Sequence, residues 1–124
     1  MVMDFSSQTP IYIQIADDIR QRVVAGELKA GDQLMSTTQY STTYRINPAT
    51  ANKAFNILVE EGIVEKRRGI GMFITPNAHE ELTQAGRASF REDTLAPAIR
   101  AGRALGLSPT DILTLVTTIL KDES

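Results

Sequence analysis

Thr50, Asn52, Lys53 and Asn56 lie close together in the segment NPATANKAFNIL, and their side chains are of the kinds that read base edges. An asparagine amide can pair bidentately with adenine, a lysine can reach guanine or a phosphate, and a threonine can hydrogen-bond or meet a thymine methyl. Lys66, Arg67 and Arg68 follow consecutively, with Gly69 and Gly71 just beyond them. Alternation along a strand sends at least one of these cations to each face, and turn glycines allow close approach to a sugar-phosphate backbone or a minor groove. The chemistry indicated is reversible binding of nucleic acid. Bond-making chemistry has little to stand on. The chain has no cysteine for a disulfide or a thiolate metal site, and His79 is its one histidine. Asp17-Asp18 and Glu60-Glu61 are adjacent pairs on expected helices, so their carboxylates point about 100° apart, which suits a solvated surface better than paired acid-base work. Gly69-Ile70-Gly71 lacks the third glycine and the strand-to-helix setting of a nucleotide-binding loop. No enzyme activity, cofactor or metal is expected.

These side chains need elements to hold them. Residues 9–25 read as a first helix, with Thr9 as cap, Pro10 in the first turn, and Ile11, Ile15, Ile19 and Val23 recurring on one face. Ser36 and Gln39 have capping-box spacing for a short second helix in STTQYSTTY, whose threonines make it intrinsically weak. Asn47 as cap and Pro48 as first residue open a third helix that runs to Glu61 and stops at Gly62, with Ala51, Ala54, Phe55 and Leu58 as its apolar stripe. IVEKR and GMFIT read as two strands joined around Arg68-Gly69-Ile70-Gly71. Beyond Pro76 the pattern is helical from about Ala78 to Ala104. Pro97 either kinks that helix or starts a new one capped by Asp93 or Thr94. Ser108, Pro109 and Asp111 open a last helix carrying Ile112, Leu113, Leu115, Val116, Ile119 and Leu120.

Helix, short helix, tight turn, polar-faced helix and glycine hairpin, in that order, predict a winged helix-turn-helix over residues 1–76: a mainly α fold with a small β-hairpin wing, followed by a helical tail over 77–124. The net charge of −2 conceals a local surplus. Arg45, Lys53, Lys66, Arg67 and Arg68 cluster on the expected reading surface, whereas residues 77–124 hold seven acids against five bases. The expected DNA-contacting set is Ser36, Thr37, Thr38, Arg45, Asn47, Thr50, Asn52, Lys53, Asn56, Lys66, Arg67, Arg68 and Gly69. Phosphate contacts would position the domain and base contacts would specify the site.

The stretch GDQLMSTTQYSTTYRINPATANKAFNILVEEGIVEKRRGIGMFIT resembles the DNA-binding domain of the GntR family of bacterial regulators, in particular its short-tailed YtrA-like branch. PIYIQIADDIRQRVVAGELKAGDQL is similar to that branch's first helix and following turn. The resemblance implies that Ser36 starts the second helix near a phosphate, that Thr50 and Lys53 face DNA, and that Gly69 and Gly71 shape the wing. Met35 and Thr38 stand where the family usually has proline and arginine, which removes a common phosphate or guanine contact and points to a different operator. Met72 replaces a frequent threonine in the wing.

The tail is too small to bury the wide apolar stripe of its last helix alone, so a partner subunit is expected to cover it. Phe90, Leu95, Ile99, Leu105, Leu107, Ile112, Leu115, Val116 and Ile119 are the expected homodimer interface. A two-fold dimer also suits a palindromic operator of double-stranded DNA. The tail looks too short for a private ligand pocket, so a small-molecule effector would sit between subunits. Apolar residues make up 42% and charged residues 23%, no apolar run reaches the length of a membrane span, and MVMDFSSQTP lacks the parts of a secretory signal, so a soluble, cytoplasmic protein is expected. The reading is a DNA-binding transcription regulator, most simply a repressor; the alternative is a winged-helix protein-interaction module without DNA binding.

Overall fold

The computed structural model describes residues 3–123. Ile15, Ile19 and Val23, four residues apart, are buried together with Ala16 along the inner face of α1 (Ile11–Val24). The helix starts later than expected and Thr9 does not cap it. Pro10 is the N-cap, with extended backbone and no side-chain bond, and its carbonyl accepts the N–H groups of Ile13 and Gln14 at 3.1 and 3.2 Å. Thr9 instead gives its carbonyl to the Gln14 amide at 3.0 Å.

The next two helices are fixed by local chemistry, as their caps predict. α2 (Thr37–Tyr44) opens with a complete capping box: Ser36 Oγ accepts the Gln39 N–H at 3.1 Å, and the Gln39 side chain accepts the Ser36 N–H at 2.8 Å. α3 (Pro48–Glu60) opens with Asn47 Oδ1 accepting the Ala49 N–H at 2.8 Å and with proline in the first turn. Ala51, Ala54, Phe55 and Leu58 are fully buried. α2 has little propensity of its own and is held by Tyr40, whose ring meets Phe55 edge-on at 5.3 Å. Burial raises the Tyr40 phenol to about 12, with the Asp18 charge adding to the effect, so it stays neutral at working pH.

β1 (Val64–Arg67) and β2 (Gly71–Ile74) form the expected antiparallel hairpin, with Val64 opposite Ile74 and Arg67 opposite Gly71. Residues 31–34 lie along the other edge of β2, a pairing that no local pattern in the sequence signals. Gln33 bridges Phe73, Leu34 N–H donates to the Met72 carbonyl at 2.8 Å, and Ile74 N–H donates to the Asp32 carbonyl at 2.9 Å. β2 is therefore the middle of a small three-stranded arrangement. The core gathers α1, α2, α3 and the inner face of the hairpin, with Ile63, Val64 and Ile74 among its fully buried side chains.

The chain divides into two compact units, one ending at Gln84 and the other starting at Ala85. The first turn of α4 (Ala78–Ser89) belongs with the first unit, since Ala78 is fully buried in its core and Leu82 packs against it. In the second unit a π-helical stretch, Phe90–Leu95, runs into α5 (Ala96–Ala104), and α6 (Pro109–Glu123) follows a turn at Gly106. Pro97 occupies the first turn of α5 and neither Asp93 nor Thr94 caps it, so of the two expected alternatives the capped new start does not form. The helix never breaks there: Ala96 N–H reaches back five residues to the Arg91 carbonyl, and that wider turn absorbs the N–H that proline lacks. Asp93 accepts instead from Ser89 Oγ at 3.1 Å. α6 has the expected box, with Ser108 N–H donating to Asp111 at 2.9 Å and Asp111 N–H to Ser108 Oγ at 3.1 Å, and these bonds lower the Asp111 pKa. No described residue beyond Gln84 is buried. Among the described residues no helix is long and apolar enough to cross a membrane.

Candidate nucleic-acid interface

The turn between α2 and α3 is made by one residue in an unusual conformation. Arg45 has φ 54° and ψ 51°, the left-handed region that glycine usually fills at the end of a helix, and Ser41 Oγ secures the far side of the turn by donating to the Ile46 carbonyl at 2.5 Å. The Arg45 side chain remains exposed. Asn47 is also exposed but spends its side-chain oxygen on the cap of α3.

An open cleft of about 260 Å3 lies between the helices and the wing. Ser36 and Thr37 from the start of α2, Asn52 from α3, and Lys66, Arg67, Gly69, Ile70, Gly71 and Met72 from the hairpin line it. Six expected contact residues are thereby brought to one concavity that carries two cations and no carboxylate. Lys66 and Arg67 both reach it although they alternate along β1. Arg67 lies over the Phe73 ring at 4.1 Å from its centroid and makes a 2.8 Å ion pair with Glu65 on the same face. That pair is half-exposed, so it holds the guanidinium weakly enough for a phosphate to compete.

The other expected residues are placed differently. Asn56 is exposed one turn along from Asn52, and Thr38 and Arg68 are exposed on α2 and in the wing turn. Thr50 is only half-exposed. Lys53 does not line the cleft: it follows Asn52 by about 100° around the helix, and its ammonium sits 4.0 Å from the centre of the Tyr12 ring on α1. Arg20 braces the far end of α3 with two bonds to Glu61, at 2.9 and 2.6 Å, and a third to Asp17 at 2.6 Å. The bond to Glu61 is the main reason its guanidinium pKa is raised. Tyr12, Gln33 and Ile70 are not among the site residues expected from the sequence. Tyr12 lies outside the isoleucine stripe of α1, and Ile70 is an apolar residue in a turn, so each departs from its local pattern; Gln33 carries no such signal.

The description "Bacterial regulatory proteins, gntR family" matches residues 11–74, from the start of α1 to the end of β2. Among curated proteins, the HTH-type transcriptional regulator YhcF of Bacillus subtilis is 35% identical over 109 residues, covering 88% of each chain. The HTH-type transcriptional repressor YtrA of the same organism is 37% identical over 90 residues, covering 73% of this chain and 69% of that one. Among solved structures, a transcriptional regulator from Oenococcus oeni superposes with a TM-score of 0.81 at 28% identity, over 95% of this chain and 97% of that one. With a winged helix-turn-helix built from these residues and matched along nearly its whole length, the chain belongs to the GntR family of bacterial regulatory proteins, on its YtrA-like branch.

Proposed function

We propose that the chain is a sequence-specific DNA-binding repressor, acting in the cytoplasm as a homodimer on a palindromic operator. Residues 48–61 read the operator and wing residues 63–75 grip it. The observation that carries this reading is the cleft shared by Asn52, the start of α2, and Lys66 and Arg67 of the wing. A major groove admits a helix, so with α3 in that groove the strand that bounds it would run through the cleft and the wing would reach over it toward the adjoining minor groove. Asn52 and Asn56 then meet base edges. Ser36, Thr37, Lys66 and Arg67 hold phosphates, and Arg45 and Arg68 extend the positive surface. Lys53, carried on the Tyr12 side of α3, suits a phosphate of the opposite strand better than a base. Residues 77–124 serve as the dimerisation tail. Its exposed apolar side chains, Phe90, Leu95, Ile99, Leu105, Leu115, Val116 and Ile119, supply the contact surface, while Leu107 and Ile112 also pack near Gly102 within the chain. A small-molecule effector, where one acts, binds between the subunits.

Selection of duplexes from a random pool by the full chain, followed by fluorescence anisotropy over a range of salt, tests the reading. A palindromic site should emerge, and log affinity should fall linearly with log salt at a slope near −0.9 for each phosphate neutralised. A protein-interaction module would enrich no sequence.

A further inference from the structure

One residue of the cleft does not match its chemistry. Ile70 stands 65% exposed in the wing turn, where polar residues and glycine are the usual occupants. Its backbone is nevertheless tied down on both sides. The Ile70 N–H donates to the Arg67 carbonyl at 2.9 Å, and the Ile70 carbonyl accepts from the Gln33 side-chain amide at 3.1 Å. The same amide occupies the place that a side chain on Gly71 would need, because a Cβ there would lie 2.7 Å from Gln33 Nε2. Gly71 also has φ +145°, which side-chain-bearing residues rarely adopt. Its missing side chain therefore leaves room for Gln33 to reach the turn, and the bond it makes there steadies the backbone from which the exposed Ile70 side chain projects.

A single exposed isoleucine is ordinary on a protein surface. This one is held in place and flanked by Lys66, Arg67 and Arg68, with no carboxylate lining the cleft beside it. A partner that satisfies both features must offer an apolar surface between closely spaced negative charges. The minor groove of DNA does so: its walls are deoxyribose faces, its rims are phosphates, and its width of about 6 Å admits a side chain projecting from a hairpin tip. We propose that Ile70 is an apolar contact residue for the minor groove of the operator, and that Gln33 is its positioning residue. The proposal rests on the DNA-binding reading given above. The exocyclic amino group of guanine projects from the floor of that groove, so the contact favours A·T pairs beneath the wing.

The test uses the full chain and the duplex it selects, rebuilt with either G·C or inosine·C pairs under the wing; inosine removes only that amino group from the minor groove. Ile70→Ala should bind about fivefold more weakly, with an unchanged salt slope because no charge is lost. It should also lose the preference of the unsubstituted protein for inosine over guanine. Gln33→Met, which keeps the length but cannot donate to the Ile70 carbonyl, should move both readouts in the same direction by less. Wild-type affinity in Ile70→Ala, or an inosine preference that survives it, overturns the minor-groove contact and leaves Ile70 to a protein partner. Wild-type behaviour in Gln33→Met overturns the positioning role. If the unsubstituted chain selects no duplex at all, the DNA-binding reading itself fails, which is a different result. A thermal melt of each variant separates these effects from unfolding.

Discussion

α3 and α6 begin alike. Each has a polar cap, a proline in its first turn and an apolar stripe at helical spacing, yet α3 buries four side chains completely and α6 buries none. The difference lies in what surrounds them. α3 is packed by α1, α2 and β1, whereas in the second unit α6 packs mainly on α5, where Gly102 brings the Ile112 and Leu107 methyl groups within 3.5 Å of the space a side chain would fill. Helical periodicity states that a face favours burial; it does not state what buries it. In the first unit the answer lies within the chain. For the second, we propose a second copy.

Substitutions at three positions sharpen or break that contrast. Phe55→Ala removes the largest fully buried side chain of the first unit and should cost about 3–5 kcal/mol of stability in chemical denaturation, independent of protein concentration. Ile119→Asp should leave the first unit folded but yield a monomer in sedimentation velocity, with operator affinity reduced about a hundredfold through lost bivalency. A dimer that survives this change would remove the proposed role of the tail. The smallest effect is expected from Tyr12→Leu, which takes the ring from beneath Lys53 and should weaken operator binding by about 0.5–1 kcal/mol in anisotropy. Tyr12→Phe, which keeps a ring face, should restore most of it.

What could be read in the sequence was mainly what depends on near neighbours. The Ser36–Gln39 box, the Asn47-Pro48 start and the hairpin turn are each specified within a few residues, and all formed as expected. Contacts between distant segments were not legible. Nothing local in GDQL announces that it pairs with β2, because that pairing depends on the loop's return path past the hairpin. The site divides along the same line. The asparagines and wing cations were picked out by type, but the choice between Asn52 and Lys53 for the cleft turns on a rotation of about 100° that only the packing of Phe55 and Leu58 settles. Thr9 does not cap α1, and the capped alternative at Pro97 does not form, for a related reason: a backbone carbonyl and a widened turn stand where side-chain caps were expected.

The central position of β2 has a consequence for solubility. With residues 31–34 along one side of it and β1 along the other, β2 has no open flank, and one of the sheet's two outer rims, opposite that of residues 31–34, is β1. That rim reads Glu65, Lys66, Arg67. A strand from another molecule that tried to add there would set its own backbone beside three charged side chains, which is how natural sheets discourage runaway pairing between copies. The cations proposed to meet phosphates thus also guard against aggregation, and neutralising them would be expected to favour self-association as well as to weaken the grip on DNA.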